Sequence, residues 1–337
     1  MKVSVIILNW NGKTLLEEFL PSVVANTPSD IAEVVVADNG STDGSVDMLK
    51  EKYPSVRLIL FEKNYGFAEG YNRAISQTDA TYTVLLNSDV EVTENWLDAP
   101  LAVLNSDKSI AAVQPKICSY RNKEYFEYAG AAGGFIDFYG YPYCRGRIMP
   151  VVEKDCGQYD TQMDVLWATG ACLFIRTDVY KKEGGLDSRF FAHQEEIDLC
   201  WRLRSRGYRV ICTPQSVVYH LGGATLNTEN PRKTFLNFRN NLLMLYKNLP
   251  EKDLKHVSRV RSWLDIIAAT KFFITGNPKN ASAVFQARRE FKRLKKEYLQ
   301  IRIENQQKTV CPQIPEIRRE SLLLSFYIKR IRLFSKL

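Results

Sequence analysis

The sequence predicts an α/β fold in which a mostly parallel sheet, covered by helices on both faces, is followed by a basic helical extension. Two observations predict it. The first hundred or so residues alternate short apolar runs with helical patterns, and strands this apolar are typical of sheets that are buried on both faces. The charge also divides, because residues 1–230 carry 22 Lys and Arg against 30 Asp and Glu, whereas residues 231–337 carry 24 against 8. We therefore predict two domains, 1–229 and 230–337.

Hydrophobic periodicity assigns the elements of the first domain in order. The predicted strands are Val3–Leu8, Val34–Ala37, Val56–Phe61, Tyr82–Leu86, Ala171–Ile175, Tyr208–Cys212 and Ser216–Tyr219. The predicted helices are Lys13–Ala25, a helix that ends at Lys52, Phe67–Gln77 and Glu195–Arg206. Residues 120–160 are rich in Tyr, Gly and Phe without a regular period. We expect them to make an irregular excursion over the sheet that forms part of a binding pocket.

The second domain is predicted to be helical, because its apolar residues recur at i, i+3 and i+4. The predicted helices are Lys233–Asn248, Leu254–Ile274 and Ala281–Arg302. Basic residues alternate with apolar ones along them, a pattern that fits an anionic membrane surface, a nucleic acid or a plain solvated helical face. The longest apolar runs, such as Trp263–Thr275, are too short to cross a bilayer, which needs about 20 apolar residues.

The composition indicates a globular protein in a reducing compartment. A hydrophobic content of 45% argues against wholesale disorder. The seven cysteines include no C-x-x-C pair and their number is odd. The apolar run near the N-terminus is too short for a signal peptide. We therefore expect free thiols and a cytoplasmic location.

Polar clusters follow the first, second and fourth predicted strands. In sheets of this kind, ligands bind beyond the carboxyl ends of the strands. Asn9 follows the first strand, and Asp38 begins a polar turn after the second. An acidic Asp38 suits the N3–H group of a uracil or thymine ring, although a tight turn with a capping carboxylate explains much of the segment. Asp89 follows the fourth strand. A carboxylate at this place can bind Mg²⁺ or Mn²⁺ that bridges two phosphates, or it can simply form a turn or cap a helix.

Two further clusters carry chemistry. Glu195, Glu196 and Asp198 crowd the start of a predicted helix, where acids stabilise the helix dipole. Repulsion between them would also raise a carboxylate pKa toward neutrality, as a general base requires. His220 ends an apolar strand beside glycines, where it can ligate a metal, contact phosphate or have a purely structural role.

Taken in this order, the segments resemble the inverting glycosyltransferases of family 2, in the rhamnosyltransferase-like subgroup. That family has the GT-A fold, which contains a Rossmann-like sheet. The matching segments are Val5–Asn11, Val36–Gly44, the Asn64–Asn72 stretch that follows the pattern N-x-G-F-A-x-G-x-N, the N-x-D triplet Asn87–Asp89, Trp167–Ala171, and the Gly185–Arg202 block.

The resemblance implies a role for individual residues. The donor, a uridine or thymidine diphosphate sugar, would contact Asn9, Asp38, Asn64, Gly66, Asn72 and Asn87. The acceptor would contact Trp167 and Gly170, and a divalent cation, Mg²⁺ or Mn²⁺, would bind Asp89 and His220. The catalytic base would be Glu196. The family has an acidic pair E-D at this place, and because Glu195-Glu196 stands here instead, Glu195 is the second candidate.

The resemblance also implies the reaction and its setting. We expect an inverting transfer of a sugar, rhamnose by analogy with the subgroup, to a saccharide or polyprenyl-linked acceptor in surface polysaccharide biosynthesis. The enzyme would lie at the inner face of the cell membrane, and we expect no nucleic-acid partner. The rival enzyme is a sugar-nucleotide nucleotidyltransferase, which would need a Gly-rich basic loop after the first strand. The segment Asn9–Lys13 has a single Lys there. A basic nucleic-acid-binding protein is the other rival.

Overall fold

The computed structural model describes residues 2–222 and 230–337. Its strands are, in chain order, β1 (Val3–Asn9), β2 (Ala32–Asp38), β3 (Arg57–Leu60), β4 (Tyr82–Asn87), β5 (Val90–Val92), β6 (Ile110–Ser119), β7 (Gly134–Asp137), β8 (Pro142–Cys144), β9 (Arg147–Ile148), β10 (Val151–Val152), β11 (Met163–Asp164), β12 (Cys172–Arg176), β13 (Arg209–His220) and β14 (Ile317–Arg318). Its helices are α1 (Lys13–Ala25), α2 (Ser45–Lys52), α3 (Gly66–Ser76), α4 (Asp98–Ser106), α5 (Thr177–Lys182), α6 (Glu195–Ser205), α7 (Pro231–Asn248), α8 (Glu251–Ile274), α9 (Pro278–Leu294) and α10 (Tyr298–Gln307).

The larger sheet has the order β11-β13-β6-β12-β4-β1-β2-β3, and β5 pairs with β13. β1 pairs in parallel with β2 and β4, and β2 with β3. Successive residues of β1 point to opposite faces, so that Val5 and Ile7 pack in one hydrophobic core while Ile6 packs in another. The predicted sheet with two buried faces is confirmed, because the period-2 geometry of a strand gives each core every second residue.

Strand β6 was not predicted, although it lies in the middle of the sheet between β13 and β12. Its sequence contains Gln114, Pro115 and Lys116, which break the apolar run. Distant partners satisfy the buried polar groups: Gln114 Nε2 donates to Gly130 O (3.2 Å), and Lys116 Nζ lies 2.7 Å from an Asp155 carboxylate oxygen.

Strand β13 was predicted as two short strands and is one long strand with an irregularity. Its pairing with β6 skips from Thr213 to Val217 while β6 advances only from Pro115 to Lys116. Proline has no N–H group to donate to the ladder. The bulge in β13 therefore lies opposite the one β6 residue that cannot pair fully.

Residues 120–160 do not form the irregular excursion that the sequence predicted. They contribute strands of two to four residues to a smaller sheet, in the order β10-β9-β8-β7-β14. Strands this short leave no periodic signal. The outermost strand, β14, comes from the basic second part of the chain and pairs in parallel with β7.

The second part of the chain packs against the first over long distances in sequence. The third predicted helix of this part is interrupted at Lys295–Glu297, which separates α9 from α10. Leu322 and Phe326 are buried in the same core as the smaller sheet. The predicted boundary at residues 229 and 230 adjoins residues 223–229, which lie outside the described residues, so the division into two domains stays a prediction.

Candidate active site

The ends of β1 and β2 bring Asn9 and Asp38 together. The parallel register pairs these two residues, and Asn9 Nδ2 donates to an Asp38 carboxylate oxygen (2.9 Å). The other carboxylate oxygen accepts from Ser41 N–H (2.8 Å). Asn9 Oδ1 is buried and has no hydrogen-bond partner among residues 2–222 and 230–337. One polar atom therefore stays available at the predicted donor end of the sheet.

Asn39 joins this strand end to the segment that contains Asn64 and Gly66, a role that the sequence did not predict. Asn39 Nδ2 donates to Asn64 Oδ1 (3.1 Å) and Gly66 O (3.0 Å), and Asn39 Oδ1 accepts from Tyr65 N–H (3.0 Å). Gly66 has a φ of +82°, and a Cβ atom there would lie 2.5 Å from the Phe191 ring. The predicted donor residues Asn64 and Gly66 are thus held beside Asn9 and Asp38 by one buried amide.

The side chain of Asn72 is occupied within the protein. Its Nδ2 donates to Leu186 O (2.7 Å), and its Oδ1 accepts from Leu186 N–H (3.0 Å) and from the Tyr180 hydroxyl (2.6 Å). The amide therefore fastens the turn before residue 187 to α3. The donor contact that the resemblance implies for Asn72 would require some of these bonds to break.

Asp89 and His220 meet because β5 pairs with the end of β13, opposite Val90. His220 Nε2 lies 3.1 Å from an Asp89 oxygen and 3.4 Å from Asn87 Nδ2. His220 Nδ1 lies 3.5 Å from a carboxylate oxygen of Glu127, which the sequence did not predict. No sequence pattern marks Glu127, since it lies in the Tyr- and Gly-rich segment. The imidazole ring therefore lies between two carboxylates.

These carboxylates dominate the electrostatics of the pair. Burial alone would lower the pKa of His220, but the charges of Asp89 and Glu127 outweigh it and raise the pKa to about 10. Burial would raise the pKa of Asp89, yet the charge of His220 and its hydrogen bond lower it below the ordinary value. The two carboxylates thus favour positive charge at the His220 ring.

The donor set at Asp89 and His220 fits a divalent cation. An Asp89 carboxylate oxygen and His220 Nε2 lie 3.1 Å apart, so a bound ion would replace the proton between them, and Glu127 lies 3.5 Å from the other ring nitrogen, where carboxylates commonly stand behind histidine ligands. In the part of the chain that the structure describes, no three His, Cys, Asp or Glu side chains are grouped in a way that could hold a metal ion. The protein therefore offers two ligands, and the remaining positions would fall to the donor diphosphate and water.

Glu195 and Glu196 begin α6 and share an unusual environment. Burial raises the pKa of Glu196 to about 7. Burial and the charge of Glu196 raise the pKa of Glu195 well above its ordinary value. Each has a buried Oε2 atom that lacks a hydrogen-bond partner among the described residues. Both carboxylates are thus chemically suited to take up a proton.

Asp198, three residues after Glu195, behaves in the opposite way. Burial would raise its pKa, but the cations Lys247 and Arg202 outweigh that effect and lower it. Lys247 Nζ lies 2.7 Å and Arg202 Nε 2.9 Å from its carboxylate. Lys247 also lies 2.8 Å from the carboxylate of Asp187. Lys247 therefore fastens α7 to α6 through Asp198, and to the turn before α6 through Asp187.

The two predicted acceptor residues differ in exposure and surroundings. Trp167 is 3% exposed, and its Nε1 donates to Phe135 O (2.9 Å) in the smaller sheet. A Cβ atom at Gly170 would lie 2.9 Å from the Phe67 ring of α3. Gly170 thus lies near the start of α3, whereas the Trp167 side chain supports the smaller sheet from within.

Comparison with known proteins decides the class of enzyme. Residues 4–163 match the family described as "Glycosyl transferase family 2". The match spans 160 of the 337 residues, just under half of the chain, and supports a family 2 glycosyltransferase. The match includes Asn9, Asp38, Asn64 and Asp89 and ends before the Glu195-Glu196 pair.

Curated relatives place this family 2 glycosyltransferase with rhamnosyltransferase-like proteins. It is 28% identical over 234 residues to the "N-acetylglucosaminyl-diphospho-decaprenol L-rhamnosyltransferase" of Mycobacterium tuberculosis, a match that covers 64% of this chain and 75% of the relative. It is 28% identical over 227 residues to the "O-antigen biosynthesis protein RfbC" of Myxococcus xanthus, where the match covers 65% of this chain but only 17% of the relative. The predicted subgroup is confirmed.

A solved structure confirms the GT-A fold. The structure titled "Crystal structure of GalNAc-T7 with UDP, GalNAc and Mn2+" superposes with a TM-score of 0.59 at 17% sequence identity. The superposition covers 90% of this chain and 57% of that one. The likeness thus extends past the segment that matches the family and into the helical second part.

Proposed function

We propose that this glycosyltransferase moves a sugar from a nucleoside diphosphate donor to a hydroxyl group of a saccharide or polyprenyl-linked acceptor, with inversion at the anomeric carbon, in polysaccharide biosynthesis. One observation carries the proposal: Glu196 has a pKa near 7 and an unpartnered buried oxygen at the start of α6. The preceding loop touches the donor side, because Phe191 O accepts from Phe67 N–H (2.7 Å). A hydrogen bond therefore joins the loop before the proton acceptor to the helix that begins at the predicted donor residue Gly66.

Glu196 acts as the general base in this mechanism. Its ionised carboxylate takes the proton of the acceptor hydroxyl as that oxygen attacks the anomeric carbon. The new C–O bond forms while the bond from the anomeric carbon to the diphosphate breaks on the opposite face. A single displacement of this kind inverts the configuration and releases the nucleoside diphosphate.

Asp89 and His220 would hold a divalent cation, Mg²⁺ or Mn²⁺. When bound, such an ion supplies charge neutralisation for the leaving diphosphate. Glu127, 3.5 Å from Nδ1, would support the imidazole ring from its far side. Asn9, Asp38 and Asn64 would bind the donor, with the Asp38 carboxylate accepting from the N3–H group of uracil or thymine.

A lipid-linked acceptor is supported by the mycobacterial relative, whose name gives N-acetylglucosaminyl-diphospho-decaprenol as its acceptor. We propose that the chain reaches such an acceptor by binding peripherally to the inner, anionic face of the cell membrane. Within residues 2–222 and 230–337, no helix has the length and apolar character needed to cross a bilayer. Any contact with the membrane by these residues would therefore lie at its surface.

The outer face of α8 is the surface that fits this role. Trp263, Ile267 and Ile274 are 67%, 62% and 77% exposed, and their spacing places them on one face of the helix. Lys271 lies on the same helix with its Nζ 5.8 Å from the centre of the Tyr327 ring, so α8 adjoins the apolar and basic C-terminal segment. Large apolar side chains rimmed by lysine are typical of helices that lie in a membrane interface.

The apolar side chains of the C-terminal segment Ser321–Ile328 divide between the core and the surface. Leu322 and Phe326 face the core, whereas Tyr327 and Ile328 are exposed. The core-facing pair supports the smaller sheet, so only the exposed pair extends the surface of α8.

A panel of nucleotide sugars tests the proposed function. Thermal shift and donor hydrolysis are measured for uridine, thymidine and guanosine diphosphate sugars with Mn²⁺, with Mg²⁺ and with a chelator. We expect stabilisation and hydrolysis with a uridine or thymidine donor, lost with the chelator. Binding of a nucleoside triphosphate with release of diphosphate would instead support the nucleotidyltransferase.

A further inference from the structure

The loop that precedes Glu195 has a backbone that needs outside support. Phe191, His193 and Gln194 have φ values of +65°, +72° and +74°, in the left-handed region that non-glycine residues rarely adopt. Such conformations persist only when the surrounding structure fixes them, and they cluster at active sites. Gln194 is the residue directly before α6, so this backbone sets where Glu195 and Glu196 begin.

The support comes from α7, in the basic second part of the chain. Asn240 is 0% exposed, and its Nδ2 lies 2.9 Å from Phe190 O, 2.9 Å from Ala192 O and 2.7 Å from His193 O. An amide NH₂ group has two hydrogens, so the three carbonyl oxygens share them. A single side chain therefore binds one carbonyl before the strained residues and two among them.

Neighbours of Asn240 extend the contact. Arg239 Nη2 donates to Arg189 O (2.9 Å) and Phe190 O (3.0 Å), and Asn241 Nδ2 lies 3.1 Å from Gln194 Oε1. On the opposite side of the loop, a Cβ atom at Gly66 would collide with the Phe191 ring. Residues 189–194 are thus held between α7 and the start of α3.

We propose that Asn240 is a positioning residue for the catalytic base: its amide holds residues 190–193 in the shape that keeps the Glu195 and Glu196 carboxylates inside the protein. The proposal rests on the proposed function, because it takes one of these glutamates as the catalytic base. Asn240 itself does not contact the reacting atoms. The proposal assigns part of the catalytic apparatus to the segment that the sequence predicts to be a membrane-associating extension.

The ionisable groups around the glutamate pair come from several elements. Tyr180 and Asp198 act on Glu195, and Cys200 lies within electrostatic range of Glu196. On α7, Lys233 acts on His193. Replacing Asn240 by alanine changes none of these charges, so a shift in the pH profile of the variant reports the position of the glutamates.

Asn240→Ala is the test, and Asn237→Ala is its matched control. Asn237 lies on the same helix, and its amide donates to Lys233 O within that helix (2.9 Å). For Asn240→Ala we expect kcat to fall by about 10²-fold, the usual cost of a misplaced catalytic group, with donor KM changed less than about threefold. The acid limb of the kcat profile should move from near pH 7 toward the ordinary glutamate pKa of about 4.3, because the carboxylate becomes more exposed to water. Asn237→Ala should match the wild type.

Two outcomes overturn the proposal: a folded Asn240→Ala protein with wild-type kcat and pH profile, or equal losses in Asn237→Ala. If Asn240→Ala does not fold, Asn240→Leu, which keeps a similar volume and removes both donor hydrogens, is measured in the same way, and a wild-type profile there also overturns it. Glu196→Gln and Glu195→Gln made in parallel separate this proposal from the proposed function. If both of those variants are active, neither glutamate is the base and the proposed mechanism fails. If Glu196→Gln is inactive and the Asn240 variants are normal, only the positioning role fails.

Discussion

The donor side and the base side of the active site are built in different ways. Asn9 and Asp38 end two neighbouring parallel strands and are hydrogen-bonded to each other, 29 positions apart, while Asn39 bonds to Asn64, 25 positions on. Glu195 and Glu196 lie at a helix start whose loop is held by Asn240, some 47 to 50 positions later. A parallel sheet aligns its carboxyl ends by itself, whereas a strained loop depends on a separate element. The strand ends that carry Asn9 and Asp38 therefore come from consecutive strands of one sheet, whereas the base side depends on a helix from the second part of the chain, and the Asp89–His220 pair also joins distant segments.

The family match follows the same division. It covers residues 4–163, which include the donor residues and Asp89, and stops before α6 and α7. The assignment of the base consequently rests on the environment of Glu196 and on the resemblance of its segment.

The largest effect is expected on the donor side. Asp89→Ala should abolish transfer and metal-dependent nucleotide binding while leaving the fold intact, because the variant removes the one carboxylate proposed to bind the cation directly. Calorimetric titration with UDP and Mn²⁺ measures nucleotide binding, and circular dichroism measures whether the fold is intact. Asp98→Ala, which removes an acid in the first turn of α4, is the control. Near-normal turnover in the Asp89 variant would exclude it from metal binding.

A large effect confined to the chemical step is expected on the base side. Glu196→Gln should lower kcat by about 10²–10⁴, the usual contribution of a general base, with donor affinity preserved. The wild-type kcat should rise with pH through about 7, because the base works only when ionised and its pKa is raised to about 7. In Glu196→Gln, the residual kcat should no longer rise with pH near 7. If Glu195→Gln is the inactive protein and Glu196→Gln is active, the roles of the two are exchanged.

The smallest effect on chemistry is expected at the outer face of α8. Trp263→Ser with Ile267→Ser should weaken binding to anionic vesicles by about 10²-fold or more, since burial of each large apolar side chain contributes roughly 1.5–3 kcal/mol and about 1.4 kcal/mol is a factor of ten in affinity. Donor hydrolysis should stay unchanged. Leu299→Ser on α10, where Leu299 is 51% exposed, is the control. Equal pelleting of all three proteins, or of wild type with neutral and anionic vesicles, would contradict a membrane role for this face.

The sequence predicts the donor side well, because its signals are local. β1, β2 and β4 and the helices α1 and α3 lie within about two residues of their predicted bounds. β6 was missed because its buried Gln114 and Lys116 find partners far along the chain. Glu127 was missed for a similar reason: only the fold brings it to His220, and no motif surrounds it. Asn240 lies in a helix that was correctly predicted, but helical periodicity does not reveal which side chain bonds to a distant loop.

Residues 187–198 and 239–248 should be inherited together. The bonds from Asn240 to three loop carbonyls and from Lys247 to Asp187 and Asp198 match two segments that lie far apart in the chain. A chimera that exchanges residues 230–337 with those of a relative would therefore combine residues 187–198 of one protein with residues 239–248 of another, and these contacts could be lost. Recombination of such enzymes to alter acceptor choice or membrane attachment would have to carry both segments across, or exchange only surface positions of α8 such as Trp263 and Ile267.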